Sequence, residues 1–179
     1  MKRIVIRILA GLGIVLALFL LVGLFLPSGY EVERSLSMDA KPAVIFNLVN
    51  NLRENEKWSP WQAADPSLKT TYGGPEAGQG AWATWQGDES GEGKMTIVES
   101  QSPARIVIDL DFKEQGQAQA YWRFREKGQS TEVTWGMQGD SGWNIIGRYF
   151  GLCIDGMVGS YYEDGLQRLK KVAEAADQG

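Results

Sequence analysis

The stretch that decides the fold is Trp143-Asn144-Ile145-Ile146-Gly147-Arg148-Tyr149-Phe150, which runs on to Arg168-Leu169-Lys170-Lys171 and ends near Ala176. Ile146, Phe150, Ile154, Met157, Tyr161, Leu169 and Val172 recur at three- and four-residue steps, with Gly165 in the one gap. That spacing predicts a helix over residues 143–176 with these side chains along one side. Arg168, Lys170 and Lys171 lie in its final turns, where cations suit the negative end of the helix dipole. Almost everything before it, from Tyr30 to Gln138, reads as strand. A long amphipathic helix that follows a run of strands must bury its stripe against their sheet. One sheet curled around one helix is therefore expected. Gly147, Gly151, Gly156, Gly159 and Gly165 interrupt the helix, and each costs about 1 kcal/mol relative to alanine. A break near Gly151 to Gly156 is one outcome. The glycines otherwise allow close approach of helix and sheet, or leave a hollow between them.

The chain has 179 residues, enough for one domain with a real core plus an extension. Its net charge of -4 and pI near 5.0 argue against a nucleic-acid surface. It has no histidine, which excludes Ser-His-Asp and Cys-His catalysis and histidine metal sites. Cys153 is the only cysteine, so no disulfide forms within the chain. No metal and no cofactor are expected.

Residues 1–29 read as an N-terminal anchor and short linker. Lys2, Arg3 and Arg7 precede the uncharged run Ile8–Leu26, which as a helix measures about 28 Å and matches the bilayer hydrocarbon core. A cleaved secretory signal is the rival reading, but its apolar region is shorter and ends in small residues. Leu24-Phe25-Leu26-Pro27 is a poor cleavage site. An uncleaved transmembrane helix through residues 4–26 is expected, with its basic end in the cytoplasm and the domain on the outer side. The linker Pro27-Ser28-Gly29 is so short that the domain must sit close to the bilayer. Setting aside Lys2, Arg3 and Arg7 leaves 15 basic against 22 acidic side chains, a net of -7. Charge does not draw such a domain to anionic lipid, so the anchor must supply proximity.

Residues 30–176 form the expected domain. Tyr30 to Met38 alternates as a half-buried strand. Asp39-Ala40-Lys41-Pro42 opens a helix with apolar positions Val44, Ile45, Leu48, Val49 and Leu52. Arg53 to Lys57 adds a short second helix that closes at Trp58-Ser59-Pro60-Trp61. Six strands follow: Leu68 to Tyr72, Ala81 to Gln86, Lys94 to Ser100, Arg105 to Phe112, Gln119 to Glu126 and Thr131 to Met137. The last two are joined at Lys127-Gly128-Gln129, a hairpin signal. Short connections make the sheet antiparallel. Gly78-Gln79-Gly80 and Gly91-Glu92-Gly93 precede no helix and so are not phosphate loops.

This order is distinctive. So are Asp39-Ala40-Lys41-Pro42-Ala43-Val44-Ile45-Phe46, Trp58-Ser59-Pro60-Trp61, Tyr72-Gly73-Gly74-Pro75-Glu76-Ala77-Gly78-Gln79-Gly80, Trp85-Gln86-Gly87, Gly93-Lys94-Met95-Thr96-Ile97-Val98-Glu99-Ser100 and Thr131-Glu132-Val133-Thr134-Trp135. Together they resemble the polyketide cyclase/dehydratase-like branch of the START and Bet v 1-like (SRPBCC) superfamily over about Tyr30 to Ala173. The resemblance implies an α+β helix-grip fold: a seven-stranded antiparallel sheet wrapped around a long C-terminal helix, here preceded by one transmembrane helix. It also implies an apolar cavity that holds a lipid, sterol, polyketide or other hydrophobic molecule. The anchor lies outside the family pattern.

Candidate ligand contacts follow from the aromatic and apolar positions. Alternation separates Trp82 from Trp85, and comparison with the family pattern turns Trp85 inward with Ala81 and Ala83. The expected lining is Trp58, Trp61, Trp85, Met95, Ile97, Ile108, Leu110, Trp122, Phe124, Trp135, Phe150, Ile154 and Met157. The same residues equally serve as a solid core. Carboxylates are the only acid–base candidates. Glu99 follows Met95 and Ile97 at strand spacing and should face the interior, where a carboxyl is a candidate acid or base. As a strand-end residue it would instead reach solvent. Three functions stay open: a membrane-anchored binder of a hydrophobic small molecule or lipid, a cyclase, dehydratase or hydrolase using an interior carboxyl, and an envelope interaction module with a filled core.

Overall fold

A computed structural model describes residues 2–178. The element order is α1 (Lys2–Phe25), β1 (Gly29–Met38), α2 (Pro42–Asn50), a 3-10 turn (Glu54–Lys57), α3 (Pro60–Ala64), β2 (Lys69–Gly73), β3 (Trp82–Gly87), β4 (Gly91–Gln101), β5 (Arg105–Asp111), a second 3-10 turn (Lys113–Gln115), β6 (Gln117–Lys127), β7 (Ser130–Asp140) and α4 (Ile145–Asp177). The seven strands make one antiparallel sheet ordered β1-β7-β6-β5-β4-β3-β2. This is the α+β helix-grip architecture, with an apolar helix added at the N-terminus.

Strand alternation sorts the side chains onto two faces. The inner face carries Val32, Met137, Ala120, Ile108 and Ile97 in one cross-strand row, and all five are buried. Glu31, Glu33, Gln119, Asp109 and Lys94 fall on the outer face. The inner face is covered by α2 through Ile45, Phe46, Leu48 and Val49, and by the C-terminal half of α4 through Leu166, Leu169 and Ala173. Pro42 starts α2 with a preset φ and no wasted donor. Asn144 caps α4 by accepting the Gly147 N–H at 3.0 Å.

For the terminal helix the structure decides between the open outcomes and corrects one expectation, the facing of its stripe. The helix runs unbroken from Ile145 to Asp177, with no break near Gly151 to Gly156. Three of its glycines mark close approach to the rest of the domain: Gly151 lies against Tyr30, Gly159 against the Arg34 guanidinium, and Gly165 against Trp135 and Pro60, while Gly156 faces open space. Its buried face is also displaced from the stripe. Ile146, Phe150, Met157 and Tyr161 are exposed, while Gly159, Tyr162, Gly165, Leu166, Leu169 and Ala173 are buried. The cause is that α4 lies mainly along β1 and meets α2 and α3 only over its second half. The short helix α3, which contains the Trp58–Trp61 signature's last residues, was not anticipated.

Candidate functional site

Rows across the inner face grade from closed to open along the strands. The closed part is filled with rings. Trp122 and Trp135 face each other across β6 and β7 and stack with centroids 4.5 Å apart. Tyr162 of α4 stacks on Trp135 at 3.9 Å. Trp58 meets both tryptophans edge-on at 5.5 and 5.8 Å, and its indole N–H donates to the Leu48 carbonyl at 3.2 Å. Such pairs add about 0.5–1.5 kcal/mol each beyond their burial. Level with this stack, the space between sheet and helix is occupied by protein. A hollow at that level is therefore not formed. Burial pushes the Tyr162 phenol above the usual tyrosine range.

Toward the opposite strand ends the side chains become small or half-buried. Met95, Leu110, Ala118, Gly139 and Tyr30 share a row across five strands. Ala118 is the small residue between Leu110 and Tyr30, and the Tyr30 ring lies over Gly139. Beyond that row, Trp85 and Phe112 meet edge-on at 5.7 Å. Trp61, Ile154 and Val158 close the strip from the helical side and remain half-buried. Tyr30 lies four residues past Leu26, so this end of the sheet is the one next to the end of α1.

The thirteen expected lining residues thus separate. Trp58, Ile97, Ile108, Trp122 and Phe124 lie in the packed core. Trp61, Trp85, Met95, Leu110, Trp135 and Ile154 keep partial exposure. Phe150 and Met157 lie outside the packed interface altogether. Tyr30, Phe112, Ala118 and Val158 belong to the strip and were missed. Tyr30 and Phe112 fall within expected strands, on the same alternation as Val32 and Leu110, while Ala118 lies one residue before the expected start of its strand and Val158 lies on α4.

Glu99 does not face the interior. The β4–β5 register shifts between Ile97 and Glu99, so Ile97 sits opposite Ile108 but Glu99 sits opposite Val107. A bulge adds one residue and reverses the alternation. Glu99 therefore shares the outer face with Arg105 and pairs with it at 3.3 Å. The buried carboxylate is Asp65, which accepts from the Ser67, Glu89 and Ser90 amides at 3.0, 3.1 and 2.9 Å and from the Ser67 hydroxyl at 2.5 Å. These bonds, the Ser67 hydroxyl first, hold it far below the usual carboxylate range. It ties the β3–β4 turn and is spent as an acceptor.

A second unexpected charge group clamps the helix. Arg34, on the inner face of β1, donates to Asp155 at 2.7 and 3.1 Å and to Glu163 at 2.8 Å. The hydrogen bond from Arg34 holds the Asp155 carboxyl below its ordinary range. On the outer face an open groove of about 940 Å³ is lined by polar side chains such as Glu31, Lys94, Asp109 and Gln119. A smaller groove of about 480 Å³ lies between α2 and the Glu76-Ala77 turn. Among the described residues no cluster of three His, Cys, Asp or Glu side chains is placed to hold a metal ion.

Solved structures share this arrangement. A protein from Mesorhizobium loti is 8% identical, with a TM-score of 0.60, covering 82% of this chain and 98% of its own. One from Staphylococcus epidermidis is 16% identical, with a TM-score of 0.58, covering 84% and 92%. Ara h 8.0201 is 9% identical, with a TM-score of 0.55, covering 82% and 99%. At such identities the likeness is one of fold. No curated protein matches in sequence. The model of a family described as polyketide cyclase / dehydrase and lipid transport matches residues 30–174. The chain therefore belongs to the polyketide cyclase/dehydrase and lipid-transport family, within the Bet v 1-like superfamily, and has its hydrophobic-ligand-binding fold.

Proposed function

We propose that this chain is a membrane-tethered binding protein for a lipid or similarly hydrophobic small molecule. In this reading residues 1–29 are the tether and residues 30–176 the binding domain, held on the outer side of the membrane. The ligand lies on the half-buried strip of Met95, Leu110, Ala118 and Tyr30 beneath Trp61 and Ile154. One observation carries the reading: Tyr30, Met95 and Leu110, the half-buried residues of the inner face, lie at the end nearest α1, while the rows beyond them are closed by Trp58, Trp122 and Phe124. Burial of apolar ligand surface there is worth about 25 cal/mol per Å², and the Tyr30 hydroxyl supplies a polar group that orients the ligand. Glu99, turned outward, takes no part.

The test uses the full chain in nanodiscs and a fluorescent fatty acyl probe. Wild type binds the probe, and Ala118→Trp, which fills the row between Leu110 and Tyr30, weakens binding at least tenfold while keeping the near-ultraviolet circular dichroism of a folded core. Equal binding by Ala118→Trp would remove the strip from the site.

A further inference from the structure

The first turns of α4 present an apolar surface that no part of the domain covers. Trp143 is 86% exposed, Ile146 69%, Phe150 56% and Leu152 59%. Between Trp143 and Ile154 the only charged residue is Arg148. Scattered apolar residues on a surface need no explanation, but Trp143, Ile146 and Phe150 follow one another at three- and four-residue spacing on one side, and such a patch marks an interaction face.

Two polar side chains of the same segment, Arg148 and Tyr149, reach the apolar helix α1, and Arg148 also donates through Nε to the Gly142 carbonyl at 2.9 Å. Arg148 donates to the carbonyls of Leu24 at 2.8 Å, Leu26 at 3.1 Å and Gly23 at 3.5 Å. It thereby caps the end of α1 with a cation, where the helix dipole is negative. The Tyr149 hydroxyl donates to the Phe19 carbonyl at 2.8 Å, and the two rings stack at 4.3 Å. Ile145 packs where Gly23 has no side chain. Polar groups satisfied by backbone and apolar groups left bare is the arrangement that a hydrocarbon solvent selects.

Depth follows from the same contacts. Phe19 lies seven residues before Leu26, about 10 Å along a helix at 1.5 Å per residue. A segment that touches α1 at Phe19 is therefore level with the apolar span itself. Arg148, by contrast, sits at the span's outer end, where a guanidinium reaches the interface. Trp143, stacked near Arg148 with 5.8 Å between the guanidinium carbon and the ring, has the amphipathic character of an interfacial anchor.

We infer that the first three turns of α4 are a second membrane-contacting element, seated in the outer leaflet beside α1, with Ile146 and Phe150 against lipid acyl chains. This rests on the reading that α1 crosses a bilayer. The open end of the grip then borders the leaflet, because Gly151 packs on Tyr30 and Ile154 lines the strip. A lipid passes from leaflet to strip along α4 without crossing bulk water.

Site-specific depth measurement on the full chain tests this. Cys153→Ser removes the native thiol, and single cysteines replace Ile146, Leu16 or Gln129 for labelling with a nitrobenzoxadiazole dye. The proteins are reconstituted into phosphatidylethanolamine–phosphatidylglycerol vesicles carrying nitroxide lipids at shallow or deep acyl positions. The expected result is deep quenching at Leu16, shallow quenching at Ile146 several-fold above that at Gln129, and a blue-shifted Ile146 emission. Quenching at Leu16 with Ile146 indistinguishable from Gln129 overturns the inference and leaves the tether standing. An Ile146 dye shielded from both water and nitroxide overturns it too, since protein would then cover the patch. Absence of quenching at Leu16 fails the tether reading and takes the inference with it.

Discussion

Gly156 and Gly165 occupy one helix and pull stability in opposite directions. A methyl group at Gly156 meets nothing within 4 Å, so Gly156→Ala raises stability by up to about 1 kcal/mol through helix propensity. At Gly165 the same methyl meets the Trp135 ring at 2.7 Å and Pro60 at 3.0 Å. Both neighbours are rigid, so Gly165→Ala is a net loss of about 1 kcal/mol in spite of the propensity gain. Urea denaturation of the two variants checks the opposite signs. Asp155 gives a pH prediction. Its folded-state pKa is lowered by the Arg34 hydrogen bond, so its contribution is present above the unfolded value and is lost as pH falls through the folded one. Wild type is the more stable protein at neutral pH, and its denaturation midpoint converges on that of Asp155→Asn below about pH 4. The role of Asp155 leaves no mark in the sequence, because its partner Arg34 lies 121 residues away on β1. Of the two readings of Glu99 the interior one fails and the solvent-facing one holds, and the single-residue bulge responsible leaves no mark in the alternation that precedes it.

Among the elements, α4 was the most legible and the most misread. Its period and ends follow from spacing and from the Asn144 cap, and the helix begins within two residues of the expected start. Its facing does not follow, because a three- and four-residue apolar stripe looks the same whether it meets a sheet, another helix or lipid. The exposed residues of its first half and the buried ones of its second belong to different environments. Residues packed on the sheet include Tyr162 and Leu166, neither of which stood in the expected stripe. The ring stack gives this element a centre. Trp135 touches Trp58, Trp61, Trp122 and Tyr162, so Trp135→Ala costs about 3–5 kcal/mol, measured by urea denaturation. Arg148 is the corresponding residue at the other end. Arg148→Met removes the donor shared by two α1 carbonyls and that of Leu26 just past it, and distances between spin labels at Leu12 and Gln129 broaden as α1 loosens from the domain.

For the molecule as a whole, the strands came through in the sequence because the turns from β2 to β7 are short and each carries or is bordered by a glycine or proline, while the closing of β1 onto β7 was only what the family resemblance implied. Residues 30–174 match the family, and α1 is the one helix among the described residues long and apolar enough to cross a membrane. The full chain is expected to resist alkaline carbonate extraction from membranes, and deletion of residues 2–26 to release it; immunoblotting of the two fractions decides. What the sequence did not show is that this helix is docked. Arg148, Tyr149 and Ile145 grip it at Gly23, Phe19 and the last carbonyls, and the Ser141 amide holds the Ser28 carbonyl at 2.8 Å just beyond. The hydrophobic segment is thereby a shaped part of the molecule, beyond the tether proposed for it. On that proposal, a foreign span of equal length and greasiness would hold the protein to the bilayer yet set it at the wrong tilt, as a key of the right metal cut to another lock.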